Sequence, residues 1–267
     1  MTGAHAGRAL GAIVAREILR FVNQRGRFLS ALVRPLIWLV VFAAGFRQAL
    51  GLSIIPPYET YITYDVYIVP GLAGMIQLFN GMQSSLSMVY DREMGSMRVL
   101  MTTPLPQSWL LFFKLVAGTC VSILQVYAFL LVAGLFGITF APFAYVAALP
   151  ALVVTGLMLG AIGLLLSSLI RQLENFAGVM NFVIFPLFFL SSALYPLWKM
   201  REANNLLADI CAANPFTHAV ELIRYALYLQ VNWTSLVVVA ATMLVAFAAS
   251  VWSYDPSRGF RPSHPTA

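Results

Sequence analysis

Residues 144–168 read AYVAALPALVVTGLMLGAIGLLLSS, twenty-five consecutive positions without one charged side chain. A bilayer core is crossed by a helix of about 20 apolar residues, so this stretch alone predicts a membrane span. Five further stretches share its character, at 29–50, 66–88, 110–135, 178–195 and 232–252. The whole chain of 267 residues is 60% hydrophobic and 10% charged, with a mean hydropathy of +0.83. Soluble domains carry about a quarter charged residues, so this chain cannot coat a water-facing surface. The expectation is an all-α integral membrane protein with six transmembrane helices, forming one domain over residues 1–267.

Ahead of the first span, residues 8–28 place Leu10, Val14, Ile18, Phe21 and Val22 on one side of a helix, and Arg16, Arg20, Asn23 and Arg27 opposite. That pattern predicts an amphipathic helix lying in the membrane interface. Its polar lead is too long for a signal peptide. Six spans put both termini on one side, and sorting the bases tests which. Arg8, Arg16, Arg20, Arg25, Arg27, Arg34, Arg92, Arg98, Lys114, Arg171, Arg258 and Arg261 fall on the terminal side; Arg47, Lys199, Arg201 and Arg224 fall on the other. Twelve against four satisfies the positive-inside rule and makes both termini cytoplasmic. The acidic residues divide evenly, so the asymmetry comes from the bases alone.

The outer segment 196–231 is too polar to span and too apolar to be a free loop. It predicts short re-entrant helices dipping into the outer leaflet before the last span. Outside the membrane the chemistry is sparse. Neither Lys114 nor Lys199 stands in a GxxxxGK[ST] loop, so nucleotide binding by that route is excluded. No Asp or Glu lies mid-span, which disfavours an ion-coupled carrier and a membrane hydrolase. Cys120 and Cys211 have no metal or disulfide spacing, and His218 is expected to make a local hydrogen bond rather than to ligate a metal. No basic run suits nucleic acid.

Two polar features stand out. Gln77, Asn80, Ser84 and Ser87, with Gln83 at the edge, line one face of the second span. Such a face either borders a path for a polar, bulky substrate or bonds to neighbouring helices. Tyr58, Tyr61, Tyr64 and Tyr67 cluster near the outer end of the first two spans. They either stack on sugar rings or form an interfacial aromatic belt.

The cytoplasmic segment 89–109, VYDREMGSMRVLMTTPLPQSW, is the most specific. Asp91, Arg92, Glu93, Gly95 and Ser96, followed by Arg98, Leu100 and Thr103-Pro104, resemble the first cytoplasmic loop of type-2 ABC transporter permeases, R-E-x-G-[TS]-x-x-x-L-x-x-[ST]-P. Phe185-Pro186 through Tyr195-Pro196-Leu197 is similar to that family's fifth span. Asn214-Pro215-Phe216-Thr217 is similar to its N-P-[LF]-T segment, with Arg224 at a position often basic there and Glu221 in the same segment. The tail after Trp252 departs from the family in lacking a compact basic cluster, which leaves the end of the sixth span open.

The resemblance implies a permease subunit of a bacterial inner-membrane exporter, paired with a second copy as a homodimer. ATP and Mg would be held by a separate ATPase subunit and not by this chain. Asp91 to Leu100 would form a cytoplasmic coupling helix, and the second and fifth spans would line the path. A lipid-linked saccharide is the expected substrate, with an amphiphilic drug as the alternative. A non-transporting membrane scaffold shares the hydropathy but has no need of the polar face.

Overall fold

In the computed structural model of the chain, the described residues are 3–23, 25–46, 56–58, 62–93, 106–170 and 173–253. Among these, all regular structure is helical. Helices α1 (Gly3–Asn23) and α2 (Arg25–Phe46) precede the long α3 (Tyr64–Glu93). Then come α4 (Gln107–Leu135), α5 (Pro142–Leu169) and α6 (Leu173–Phe189). Three short helices, α7 (Leu197–Ala203), α8 (Asn205–Ala213) and α9 (Pro215–Leu227), lead into α10 (Trp233–Ser253).

Three segments are long and apolar enough to cross a membrane: Ser108–Leu135, Pro142–Leu169 and Trp233–Ser253. Shorter apolar runs occupy Leu32–Phe42 in α2 and Gly178–Phe189 in α6. At 30 residues α3 extends about 45 Å. It is less apolar than α2, α4, α5, α6 and α10, because its first turn holds Asp65 and its middle holds amides and serines.

Two helix boundaries differ from the sequence reading for identifiable reasons. The amphipathic helix and the first span meet near residue 24 rather than 28, since Arg25 and Arg27 continue α2. Arginine is a good helix former and hydropathy alone assigns it to the polar side. Helix α6 stops at Phe189, six residues before its apolar stretch ends. There the Ser191 hydroxyl donates to the Phe188 carbonyl and accepts from the Ala193 amide, 2.6 and 3.2 Å away. Serine hydroxyls offer backbone groups partners outside the helix ladder, and the chain turns through Ser192 and Leu194 instead.

Helix α3 is the hub, packing against α2, α4, α5 and α9, while α5 also carries α10. Small residues make these contacts close. A Cβ on Gly81 would lie 3.0 Å from the Gly160 backbone, and one on Gly71 would lie 2.4 Å from the Ala193 carbonyl oxygen. The core runs from Tyr64, Ile68 and Leu72 of α3 through Leu152 and Leu159 of α5 to Phe216 and Val220 of α9. A lipid-scale apolar surface remains outside it, including Phe182 of α6 and Val237, Leu244 and Val245 of α10.

Candidate functional site

The expected coupling segment lies where α3 leaves the core. Asp91, Arg92 and Glu93 form the last helical residues of α3, so the helix continues five positions past the apolar stretch that ends at 88. Their side chains, and Gly95, Ser96, Arg98 and Pro104 altogether, lie outside the described residues.

The polar face of α3 divides between two surroundings. Gln77, only 1% exposed, donates through Nε2 to the Leu152 carbonyl at 2.7 Å and accepts from the Thr155 hydroxyl at 2.6 Å. Asn80 donates through Nδ2 to the Gly118 carbonyl at 3.2 Å, and Ser84 lies against Gly118. These residues bond to α4 and α5 of the same chain. Gln83 points away and is exposed. The Ser87 side chain lies outside the described residues.

The Gln83 side opens a recess of about 80 Å³ between α2, α3 and α4. Arg34 and Pro35 form one wall; Met75, Ile76, Phe79 and Asn80 form another; Gln125 closes it from α4. The Arg34 guanidinium carbon stands 4.1 Å from the centre of the Phe79 ring. Hydropathy did not single out Gln125, Thr119, Ser122 or Thr155. Their signal was nevertheless present, since Thr119, Ser122 and Gln125 recur every three positions on one side of α4.

A second polar cluster is built by the outer segment. Asn214 caps α9 by accepting from the Phe216 amide at 2.9 Å, and Pro215 occupies the first turn, where its missing N–H is no loss. The Asn214 amide also donates to the Leu187 and Leu190 carbonyls, and the Thr217 hydroxyl donates to the Cys211 carbonyl at 2.6 Å. The Asn-Pro-Phe-Thr stretch thus clasps the end of α6 to α8 and α9.

About two turns on, Arg224 is 3% exposed and pairs with Glu221. It donates through Nη2 to the Ser192 carbonyl at 3.0 Å, and its guanidinium carbon lies 4.2 Å from the centre of the Tyr67 ring. The Tyr67 hydroxyl donates to the same carbonyl at 2.9 Å, and Tyr64 donates to the Leu194 carbonyl at 2.9 Å. Tyr58 packs edge-on against Tyr228, ring centres 4.9 Å apart. Burial opposes the Arg224 charge, but Glu221 and the tyrosines more than compensate and raise its proton affinity. Burial likewise raises the Tyr58 phenol well above its usual range, so it stays neutral.

These contacts overturn both sequence readings of the tyrosines. Tyr58, Tyr64 and Tyr67 are buried against protein and offer neither a sugar-stacking surface nor a lipid-facing belt. Tyr61 lies outside the described residues. The reason is that the turn carbonyls accept from the Tyr64 and Tyr67 hydroxyls, the Arg224 guanidinium covers the Tyr67 ring, and Tyr58 packs on Tyr228. His218 Nδ1 lies 3.3 Å from the Ser235 hydroxyl, the local bond expected of it. Among the described residues, no three His, Cys, Asp or Glu side chains gather as a metal site would require.

Comparison with known proteins bears on the chain as a whole. Residues 8–228 match the family model described as ABC-2 type transporter. The chain is 27% identical over 230 residues to the transport permease ycf38 of Pyropia yezoensis, covering 83% of this chain and 74% of the relative. It is 31% identical over 205 residues to the multidrug ABC transporter permease YbhR of Escherichia coli, covering 72% of this chain and 54% of the relative. With nodulation protein J of Rhizobium leguminosarum it shares 24% over 206 residues, 73% of each chain.

Proposed function

The chain belongs to the ABC-2 type transporter family, and on that footing we propose that it is the membrane subunit of an ATP-driven exporter of amphiphilic substrates. The observation that carries this reading is the family match over residues 8–228 of an all-helical chain with several apolar helices. On this reading α2, α3, α4, α5, α6 and α10 are the six spans, α1 lies in the interface, and both termini are cytoplasmic in a bacterial inner membrane. Supporting it are the twelve-to-four division of basic residues and the length of α3. A second copy completes the translocation unit.

The sequence has no phosphate-cradling lysine loop, so the energy comes from a separate ATPase subunit that holds ATP and Mg. ATP binding closes two such subunits. Asp91, Arg92 and Glu93, continuing α3 into the cytoplasm, transmit that motion directly to the hub helix. Glu93 and Arg92 make charge-assisted contacts with the ATPase. Gly95 permits the chain to break from α3, Ser96 and Arg98 belong to the docking helix, and Pro104 sets the return into α4. The path lies along α3 on its Gln83 side, since Gln77 and Asn80 are already engaged within the chain.

A lipid-linked saccharide is the favoured cargo, supported by the likeness to nodulation protein J. An amphiphilic drug is the second reading, supported by the likeness to a multidrug permease. The deciding experiment concerns coupling. Glu93→Ala, in the full chain produced with its ATPase subunit, should insert at normal yield. ATP-driven export should fall roughly tenfold or more, as expected from losing a charged hydrogen bond of about 1.5–3 kcal/mol. Unchanged export and unchanged ATP turnover would sink the assignment.

A further inference from the structure

The recess beside Arg34 has features that the translocation mechanism does not use. Arg34 is five residues past the start of the apolar stretch at 29, about 7.5 Å along it. On the six-span reading, on which this inference rests, it therefore stands within the cytoplasmic leaflet. An arginine at such depth is costly and normally finds a counter-charge or a polar cavity. Arg34 has the cavity and, among the described residues, no counter-charge: its contact is the Phe79 ring.

Opposite Arg34, Gln125 is 4% exposed, lines the recess, and makes no hydrogen bond to another described residue. Its amide therefore keeps two N–H donors for a molecule in the recess. Gln83, also on the rim, has no hydrogen bond within the described chain either. Three donor side chains from three helices thus converge on one small space. Asn80, by contrast, has committed one of its two N–H groups to Gly118.

We propose that this recess is a binding site for the phosphate of an anionic amphiphile, with Arg34 as the charged anchor and Gln83 and Gln125 as amide donors. The chemistry selects the ligand. A guanidinium fork matches a phosphate's oxygens two at a time, and four amide N–H groups on the two glutamines remain to bond the rest. The recess opens sideways between helices and is flanked by Met75, Ile76 and Phe79, so the apolar tail lies along α2 and α3 while the head enters. A bilayer phospholipid and a transported lipid-phosphate offer the same group, and either satisfies the site.

Direct binding tests this without requiring transport. The full chain, purified in neutral detergent, is mixed with dioleoyl phosphatidic acid or dioleoyl phosphatidylcholine, and retained lipid is counted by native mass spectrometry. Phosphatidic acid should be retained at least tenfold more than phosphatidylcholine. Arg34→Met should remove that preference, Arg34→Lys should keep part of it, and Gln125→Leu should weaken it severalfold. Millimolar inorganic phosphate should not displace the lipid. Equal retention by wild type and Arg34→Met overturns the site, as does equal retention of the two lipids. Displacement by inorganic phosphate overturns the requirement for an amphiphile. Should Arg34→Met fail to fold, Gln125→Leu and Arg34→Lys carry the same comparison.

A prenyl phosphate separates the two sources. If it competes with phosphatidic acid and raises ATP turnover in the complex with the ATPase subunit, the site takes cargo. Retention of phosphatidic acid with no effect of either lipid on turnover marks a resident lipid. Failure of the permease reading would appear separately, as the absence of any ATPase subunit co-purifying with the chain, and would leave the binding result standing.

Discussion

Arg224 and Arg34 each rest a guanidinium on an aromatic ring, at 4.2 Å over Tyr67 and 4.1 Å over Phe79, and there the similarity ends. Arg224 is sealed in the outer cluster with a carboxylate partner, a carbonyl acceptor and tyrosines around it. Arg34 faces a recess with unengaged amides and no carboxylate among the described residues. A buried charge whose partners come from its own chain serves cohesion, because removing either partner leaves the other stranded. A charge that faces a recess and finds no counter-charge among the described residues is where a ligand is proposed to complete the set.

The largest effect should come from breaking the closed cluster. Arg224→Met strands Glu221 beside the tyrosines and should cost about 3–5 kcal/mol. It would be read as a lower thermal midpoint in detergent and reduced yield. Replacing Glu221 as well, by Leu, should restore most of the loss. If the double variant is as unstable as the single one, the pairing is not what makes Arg224 matter.

Next in size is the contact that brings the outer turn onto α3. Gly71→Ala drives a Cβ to 2.4 Å from the Ala193 oxygen and should cost about 1–3 kcal/mol through overpacking. The same thermal midpoint reports it. A neutral result would mean that the turn at 190–195 can move off α3, and that the outer cluster is less closed than its contacts indicate.

Gln77→Leu sharpens the contrast along α3 itself. It removes the bonds to Leu152 and Thr155, and interhelical hydrogen bonds inside membranes average about 0.6 kcal/mol, with a maximum near 1.7. A small drop in midpoint, with the anionic-lipid preference intact, is the expected outcome. Smallest of all, Arg34→Met should leave the midpoint in lipid-free detergent unchanged or slightly raised, since no ion pair to a described residue is lost. A drop comparable to that of Arg224→Met would erase the distinction between the two arginines.

Much of the architecture was readable from hydropathy. Each apolar stretch became a helix, the 8–28 segment became most of α1, and the awkward outer segment resolved into three short helices. Asn214-Pro215 was readable as local structure too, because an Asn cap followed by Pro acts over only a few residues. The stripe on α3 was legible as a face, and its division was not. Gln77 and Gln83 differ by only six positions, yet one meets Thr155 and the other opens on the Arg34 recess. The tyrosines misled for the same reason. An aromatic near a span end reads as interfacial unless its internal partner is known, and Arg224 lies more than 150 residues farther along the chain.

By itself, then, the sequence settled what depends on composition and on neighbours within a few turns. It required a membrane solvent and helices as the form that satisfies the backbone there, and it carried the motif at 91–104 on which the family resemblance rests. Only the tertiary structure decided which polar groups are spent and which remain free. Ser192 joins Arg224 across 32 positions and Gln77 joins Thr155 across 78. Helical periodicity says which side chains share a face, but the neighbour meeting that face is chosen by close packing at residues such as Gly71, Gly81 and Gly160. Those contacts left Arg34, Gln83 and Gln125 around a space that the other described residues do not fill.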